Sequence, residues 1–158
     1  MSTLEVKSIA APSGYTLGMP AGHILQVIQG NTSTTTSTSS TSWVATTLSA
    51  SITPRSTSSK ILITYSASMY MPDNAQAAAT IYRNATEVTG EFAGIHKNWY
   101  NGTRGVAETG GQFLDSPSLT SAITYKIYVK SIDSNYSINF PTNSDTTYTT
   151  ITLMEVAG

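Results

Sequence analysis

The side chains best suited to ligand binding lie in one glycine-rich stretch, residues 90–111, which holds six of the eleven glycines. These side chains are His96, Trp99, Tyr100, Asn101 and Arg104. Aromatic faces accept the apolar C–H faces of sugars, while imidazole, amide and guanidinium groups supply hydrogen bonds. The stretch therefore predicts a carbohydrate- or receptor-binding patch. The alternative is that Trp99 and Tyr100 fill the core or a seam between subunits, since large aromatic side chains are mostly buried.

Catalytic arrangements are not evident elsewhere in the chain. Glycoside hydrolysis needs two carboxyl groups about 5 to 10 Å apart, and the fold could bring Glu91 close to Glu108 or Asp115. The alternative is that these carboxylates are solvated loop charges. The sequence contains no Gly-x-Ser-x-Gly elbow, P-loop or dinucleotide-binding fingerprint. We therefore predict that the protein is not an enzyme.

The two histidines, His23 and His96, are far apart in the sequence. Zinc normally takes three or four His, Cys or carboxylate ligands, which one chain of this composition does not easily supply. A trimer could place three copies of one histidine around its axis, but His23 fits better as a polar residue at the start of a strand. We predict neither a metal nor a cofactor.

The composition excludes several classes of protein. The chain has 158 residues, enough for one domain, of which 11% are charged, and its net charge is −1. Eight basic residues against nine acidic ones leave no excess for binding nucleic acid. Charge is also too sparse for surface helices, whereas Ser and Thr together make up 48 of the 158 residues.

Targeting signals are also lacking. With no cysteine, the chain forms neither disulfides nor thiolate metal sites. The first residues lack the charged and apolar regions of a signal peptide, and no apolar run approaches the roughly 20 residues that span a bilayer. We expect synthesis in a cytoplasm and no membrane insertion.

An alternation of apolar and polar residues runs along most of the chain and predicts seven to nine strands in an antiparallel β-sandwich. Two runs are clearest, and their apolar faces are Ile61, Ile63, Tyr65, Ala67 and Met69, and Ile123, Tyr125, Ile127, Val129 and Ser131. Residues 77–83 favour a strand that ends in a hairpin at 84–86. Residues 136–140 are expected to return as the hairpin partner of 122–132. Residues 31–42 fit an exposed edge segment or a long loop.

One segment resembles a known family. Residues 49–63 read Ser-Ala-Ser-Ile-Thr-Pro-Arg-Ser-Thr-Ser-Ser-Lys-Ile-Leu-Ile, which is similar to a segment recurrent in fibre-like virion proteins of tailed phages, especially aquatic ones. There a strand ends in Ile-Thr-Pro, and Ser-Lys-Ile-Leu opens the next strand. Similar matches occur, in the expected order, at residues 2–9, 21–27, 113–117 with 124–126, and 151–158. Residues 73–111 show no such match.

The resemblance implies a homotrimeric, jelly-roll-like β-sandwich on the virion surface. Residues 1–22 would be an attachment arm and residues 23–158 the head domain. The arm would contact other virion proteins, of the tail or the capsid, through Leu4, Val6, Ile9, Tyr15 and Leu17. The head would serve a tail fibre or tip that attaches to the host surface, for example to a glycan there. The alternatives are a capsid decoration protein, because so few residues precede the head, and an unrelated carbohydrate-binding module or enzyme.

Overall fold

The computed structural model describes residue 13 and residues 20–72, 74–89, 96–99, 104–142 and 149–158. In these ranges the chain forms eleven strands and no helix, and every strand pair is antiparallel. The strands are β1 (Ile24–Thr32), β2 (Thr36–Thr38), β3 (Val44–Ile52), β4 (Lys60–Pro72), β5 (Gln76–Arg83), β6 (Thr86–Glu87), β7 (His96–Trp99), β8 (Arg104–Asp115), β9 (Ile123–Ser131), β10 (Ile138–Phe140) and β11 (Thr149–Val156). The predicted all-β sandwich is confirmed.

The strands form two sheets. In the β4 sheet, the order is β1-β11-β4, with β8 along the other side of β4 and the short β10 and β2 extending the sheet past the end of β11. In the β9 sheet, the order is β3-β9-β5, and β6 and β7 both pair with the outer edge of β5. Consecutive long strands therefore alternate between sheets over much of the chain.

The core lies between the two sheets and is built from the two predicted apolar faces. All five residues of the β4 face are at most 5% exposed, and all five of the β9 face are fully buried. Alternate residues of a strand point to opposite sides of a sheet, so burying one side selects this period of two. Removal of these side chains from water is the main force that holds the sheets together.

The two sheets come close at one edge of the sandwich, where β1 lies against β3. A Cβ atom at Gly30 would lie 2.1 Å from the backbone oxygen of Ser49, so only glycine fits at this position. The Thr47 hydroxyl donates a hydrogen bond to the backbone oxygen of Thr34 (3.0 Å) and lies 2.7 Å from the hydroxyl of Thr32. Small hydroxyl residues thus join the sheets at this edge.

The predicted hairpin at residues 84–86 is confirmed. Arg83 pairs with Thr86 across the turn, and Asn84 adopts the left-handed conformation (φ 53°) that asparagine tolerates better than most residues. The Ser/Thr-rich segment of residues 31–42 is also confirmed as an edge, because its strand β2 is the last strand on that side of the β4 sheet in the described chain.

One sequence expectation is wrong. Residues 138–140 pair with β2 and β4 and not with β9, because β9 already has β3 on one edge and β5 on the other. Residues 104–111 form the first two thirds of β8, which pairs with β4 residue by residue from Pro72–Arg104 to Ile61–Asp115. Because glycine has no side chain, the alternation of apolar and polar residues that marks a strand is interrupted at Gly105, Gly110 and Gly111.

Candidate ligand-binding face

Only part of the patch predicted from residues 96–104 lies in the described chain. The backbone of β7 pairs with the outer edge of β5, which sets His96 opposite Ala79 and Trp99 opposite Gln76. The predicted patch thus begins at one edge of the β9 sheet.

The remaining residues of this patch follow β7. Arg104 begins β8 in the other sheet, where it lies opposite Pro72. Tyr100 and Asn101 lie outside the described residues. The same holds for the five residues of the predicted attachment arm, which are Leu4, Val6, Ile9, Tyr15 and Leu17. The patch and the arm stay predictions.

A second set of aromatic side chains, missed by the sequence reasoning, lies on the outer face of the β9 sheet. Tyr82 of β5 and Tyr128 of β9 stack with ring centroids 3.9 Å apart and an interplanar angle of 23°. Both tyrosines are partly exposed. We call this surface the aromatic–lysine face; its members are Trp43, Tyr82, Lys126, Tyr128 and Lys130.

Strand register brings the two tyrosines together. Tyr82 lies directly opposite Lys126, and Tyr128 lies opposite Thr80, so the tyrosines are diagonal neighbours on one face. Long aromatic side chains reach across this diagonal in antiparallel sheets. The alternation in β9 predicts that Lys126, Tyr128 and Lys130 share a face. The contribution of β5 depends on a non-local pairing that no local pattern reveals.

The tryptophan of this face lies at the start of β3. The Nζ atom of Lys130 lies 4.3 Å from the centre of the Trp43 ring, a cation–π contact. On β9, Lys126 and Lys130 flank Tyr128 on the same side of the strand. The face therefore presents aromatic rings between two positive charges.

The two lysines are not neutralised by acidic neighbours. Within the described ranges, the ion pair found is that of Arg83 with Asp115, and neither lysine takes part in it. Glu87 lies at the far edge, opposite Tyr82, and accepts a 2.8 Å hydrogen bond from the Thr80 hydroxyl. Burial raises the pKa of Tyr82, and the charge of Glu87 and the neighbouring Tyr128 raise it further. The Tyr82 hydroxyl therefore stays neutral and able to donate.

Asp115 has a structural role that contradicts its interpretation as solvated loop charge. It is 8% exposed and joins the sheets: Arg83 Nη1 donates to both of its oxygens, at 3.0 and 2.8 Å, and the Tyr125 hydroxyl donates at 2.7 Å. Burial raises the pKa of Tyr125, and Asp115 adds to the shift. Asp115 is the acceptor for both groups of the β9 sheet.

No carboxylate pair suited to glycoside hydrolysis is found in the described chain. Glu108 is exposed on the outer side of β8, opposite Ser68, whereas Asp115 faces the core seven residues later. Positions separated by an odd number of residues lie on opposite faces of a strand. Glu91 lies outside the described residues.

The fully buried Glu155 of β11 accepts hydrogen bonds from Gln26 Nε2 (2.6 Å) and from the backbone N–H of Arg55 (2.7 Å). Burial by itself raises the pKa of Glu155, but hydrogen bonds from Ser59, Gln26 and the Arg55 backbone, together with the charge of Arg55, lower it overall. Glu155 is thus an ionised group that anchors β1 and the turn after β3.

The described residues offer neither a metal-binding cluster nor a membrane-spanning helix. No group of three or more His, Asp or Glu side chains lies close enough there to hold a metal ion. His23 is exposed directly before β1, as expected for a polar strand-end residue. None of the described segments is a helix long and apolar enough to cross a membrane.

The outer face of the β4 sheet is different in character. Val27, Met154, Leu62 and Leu114 are successive partners across β1, β11, β4 and β8, so they form one continuous line, the apolar row. Val27 is 55% exposed and Leu114 49% exposed. The next row along the same strands is polar: Gln29, Thr152, Thr64 and Gln112. This sheet thus exposes to solvent a band of apolar side chains that contains no charged residue.

Comparison of the sequence with protein-family models and with curated proteins finds no match.

Proposed function

We propose that the protein is a structural protein on the virion surface of a tailed phage, part of a tail fibre or fibre-like tip that attaches to the host surface. The motif resemblance at residues 49–63 and its companions suggests the class. The sandwich is compatible with it, and the buried carboxylates Asp115 and Glu155 serve contacts within the fold. The proposal is one of assembly and binding, without a catalytic role.

The strand order supports a jelly roll as the finer fold class. The four-strand series β1-β11-β4-β8 packs on the series β3-β9-β5-β7, so the chain crosses repeatedly between sheets. Jelly rolls consist of two such sheets and occur in viral capsid proteins and in lectins. Both settings agree with a particle-surface binding protein.

The observation that carries the proposal is the apolar row. A soluble monomer rarely exposes a long contiguous apolar band, and such bands usually mark an interface. The row contains no charge that association would have to desolvate. On one side it is bordered by hydroxyl and amide side chains, and on the other side Ile24 and Val156 continue the apolar surface as far as Lys60 at the start of β4. We propose that a second copy of the chain covers it in a homotrimer, in which the arm of residues 1–22 tethers the head to other virion proteins.

Location in the particle tests the function. Purified virions labelled with gold-conjugated antibody against the head domain should show label at the tail tip. Quantitative mass spectrometry should find a small number of trimers per particle. Label spread over the capsid, with tens to hundreds of trimers, would instead identify a capsid decoration protein. Absence of the protein from purified particles would overturn both assignments.

A carbohydrate-binding module is the second candidate, because of a specific observation. The stacked tyrosines and the Trp43–Lys130 pair lie partly exposed on the outer face of the β9 sheet, and aromatic rings pack on the apolar faces of sugars. Sugar binding and a place on the virion are compatible, since attachment to a host glycan would need both.

A further inference from the structure

We infer that the aromatic–lysine face binds an acidic polysaccharide, with sugar rings on the tyrosines and carboxylate or sulfate groups on Lys126 and Lys130. The inference rests on the proposed attachment function and names the ligand class. It also moves the site from the predicted patch at residues 96–104 to the centre of the β9 sheet.

The aromatic part of the argument comes from the stacked pair. Tyr82 and Tyr128 each cover one face of the other's ring and hold that ring in its orientation. Little rotamer freedom is therefore left to lose on binding. Sugars present C–H groups that pack on such rings. The neutral Tyr82 hydroxyl is available to hydrogen-bond a sugar hydroxyl.

Charge selects an acidic ligand over a neutral one. Lys126 and Lys130 lie four residues apart on one strand, so their backbones are about 13 Å apart with Tyr128 between them. That spacing places the two ammonium groups over different sugars of one chain. In the described residues neither lysine has a carboxylate partner, and Lys130 is held by the ring of Trp43. An anionic ligand supplies the missing counter-charges.

The neighbourhood of the lysines leaves room for this ligand. Ala45 lies opposite Tyr128 and Ser49 lies opposite Lys126, so β3 adds only small side chains beside these two residues. Lys130 has the ring of Trp43, directly before β3, beside it. The single acidic group described on this face, Glu87, lies beyond Tyr82 and is bound by Thr80. Its position directs the acidic groups of the ligand toward the β3 side.

Binding by the full chain is measured by isothermal titration calorimetry with two matched pairs of probes. These are oligogalacturonate against its neutral methyl ester, and dextran sulfate against dextran. We expect at least one acidic probe to bind more tightly than its neutral partner, with an affinity that falls as salt rises. Equal affinity within both pairs, or no binding to either acidic probe, would overturn the inference.

Variants assign the site. Lys126→Gln and Lys130→Gln should each weaken binding of the acidic probe about three- to fivefold, the effect of losing one exposed charge pair. Lys60→Gln, an equal change of charge at an exposed residue of the other sheet, should leave binding unchanged. Tyr128→Ala should weaken binding about tenfold, and thermal unfolding of this variant shows whether the head remains folded. Equal losses for Lys60→Gln and Lys130→Gln would reject this face.

Two further outcomes also count against the inference. If a single-stranded DNA oligonucleotide binds more tightly than both acidic polysaccharides, the face binds nucleic acid, whose bases also stack on aromatic rings, and not a polysaccharide. If Lys126→Gln and Lys130→Gln change the oligomeric state, the face is a subunit contact. In either case particle labelling still decides the virion location, so failure of this inference is distinguishable from failure of the proposed function.

Discussion

The two outer faces of the sandwich carry opposite chemistry, although both belong to strands of similar Ser/Thr-rich composition. On the β4 sheet, Val27 and Leu114 lie at the ends of a four-strand apolar row without charge. On the β9 sheet, Tyr128 lies between two lysines along the outer surface of β9 and stacks on Tyr82 of β5. The comparison indicates a division of roles: an uncharged face suits permanent association, and a charged aromatic face suits a solvated ligand.

The largest expected effect breaks the proposed association of the β4 face. Leu114→Lys puts a charge into the apolar row and should convert the proposed trimer to a monomer at micromolar concentration, since a buried unpaired charge is not tolerated. Multi-angle light scattering after size exclusion measures the mass. The matched control is Leu119→Lys: Leu119 is also exposed (41%) but lies outside the row, and this variant should remain a trimer. A trimeric Leu114→Lys protein would show that the row is not the interface.

A smaller effect should come from a substitution in the interior, which changes the stability of the fold without altering either outer face. Asp115→Ala leaves the Arg83 guanidinium without its partner, and we expect a loss of about 3 to 5 kcal/mol in the free energy of unfolding. Glu108→Ala, which removes an exposed carboxylate from the same strand, should change it by about 0.5 kcal/mol or less. Urea unfolding gives both values. Similar losses in the two variants would contradict the structural role of Asp115.

The smallest expected effect is a dependence of stability on pH, which comes from the buried Glu155 in the β4 sheet. The folded pKa of Glu155 is lower than its unfolded value, so its contribution to stability is complete above the unfolded pKa, near 4.5, and is lost as pH falls through the folded pKa. Midpoints of thermal unfolding between pH 7 and pH 3 should fall less steeply for Glu155→Gln than for the unchanged protein. Parallel curves would show that Glu155 is not the titrating group.

The fold was predictable where burial imposes a period of two. Ile61 to Met69 and Ile123 to Ser131 face the core as their alternation indicates, because each strand buries one side only. The pattern fails for β8, where Gly105, Gly110 and Gly111 have no side chain to alternate. It also fails for β10, since pairing partners depend on which edges other strands have already occupied.

The candidate site was harder to foresee. The cluster of unusual residues after Gly90 attracts attention in the sequence because its members are adjacent along the chain. The aromatic–lysine face combines Trp43, Tyr82 and Tyr128 from three separate strands, and nothing local links them. Asp115 resembled a loop charge for a related reason: its partners Arg83 and Tyr125 lie in the opposite sheet.

The close approach at Gly30 bears on solubility. A sheet edge with free N–H and C=O groups is a template on which another chain can add a strand, and Lys or Glu residues usually guard such edges. With only 11% charged residues, this protein has few Lys or Glu side chains that could protect its edges in this way. At Gly30, β1 lies so close to Ser49 of β3 that not even a methyl group fits between them. Each of the two strands therefore shields one side of the other from a further strand. The close packing of these two strands can thus resist edge-to-edge aggregation without charged side chains.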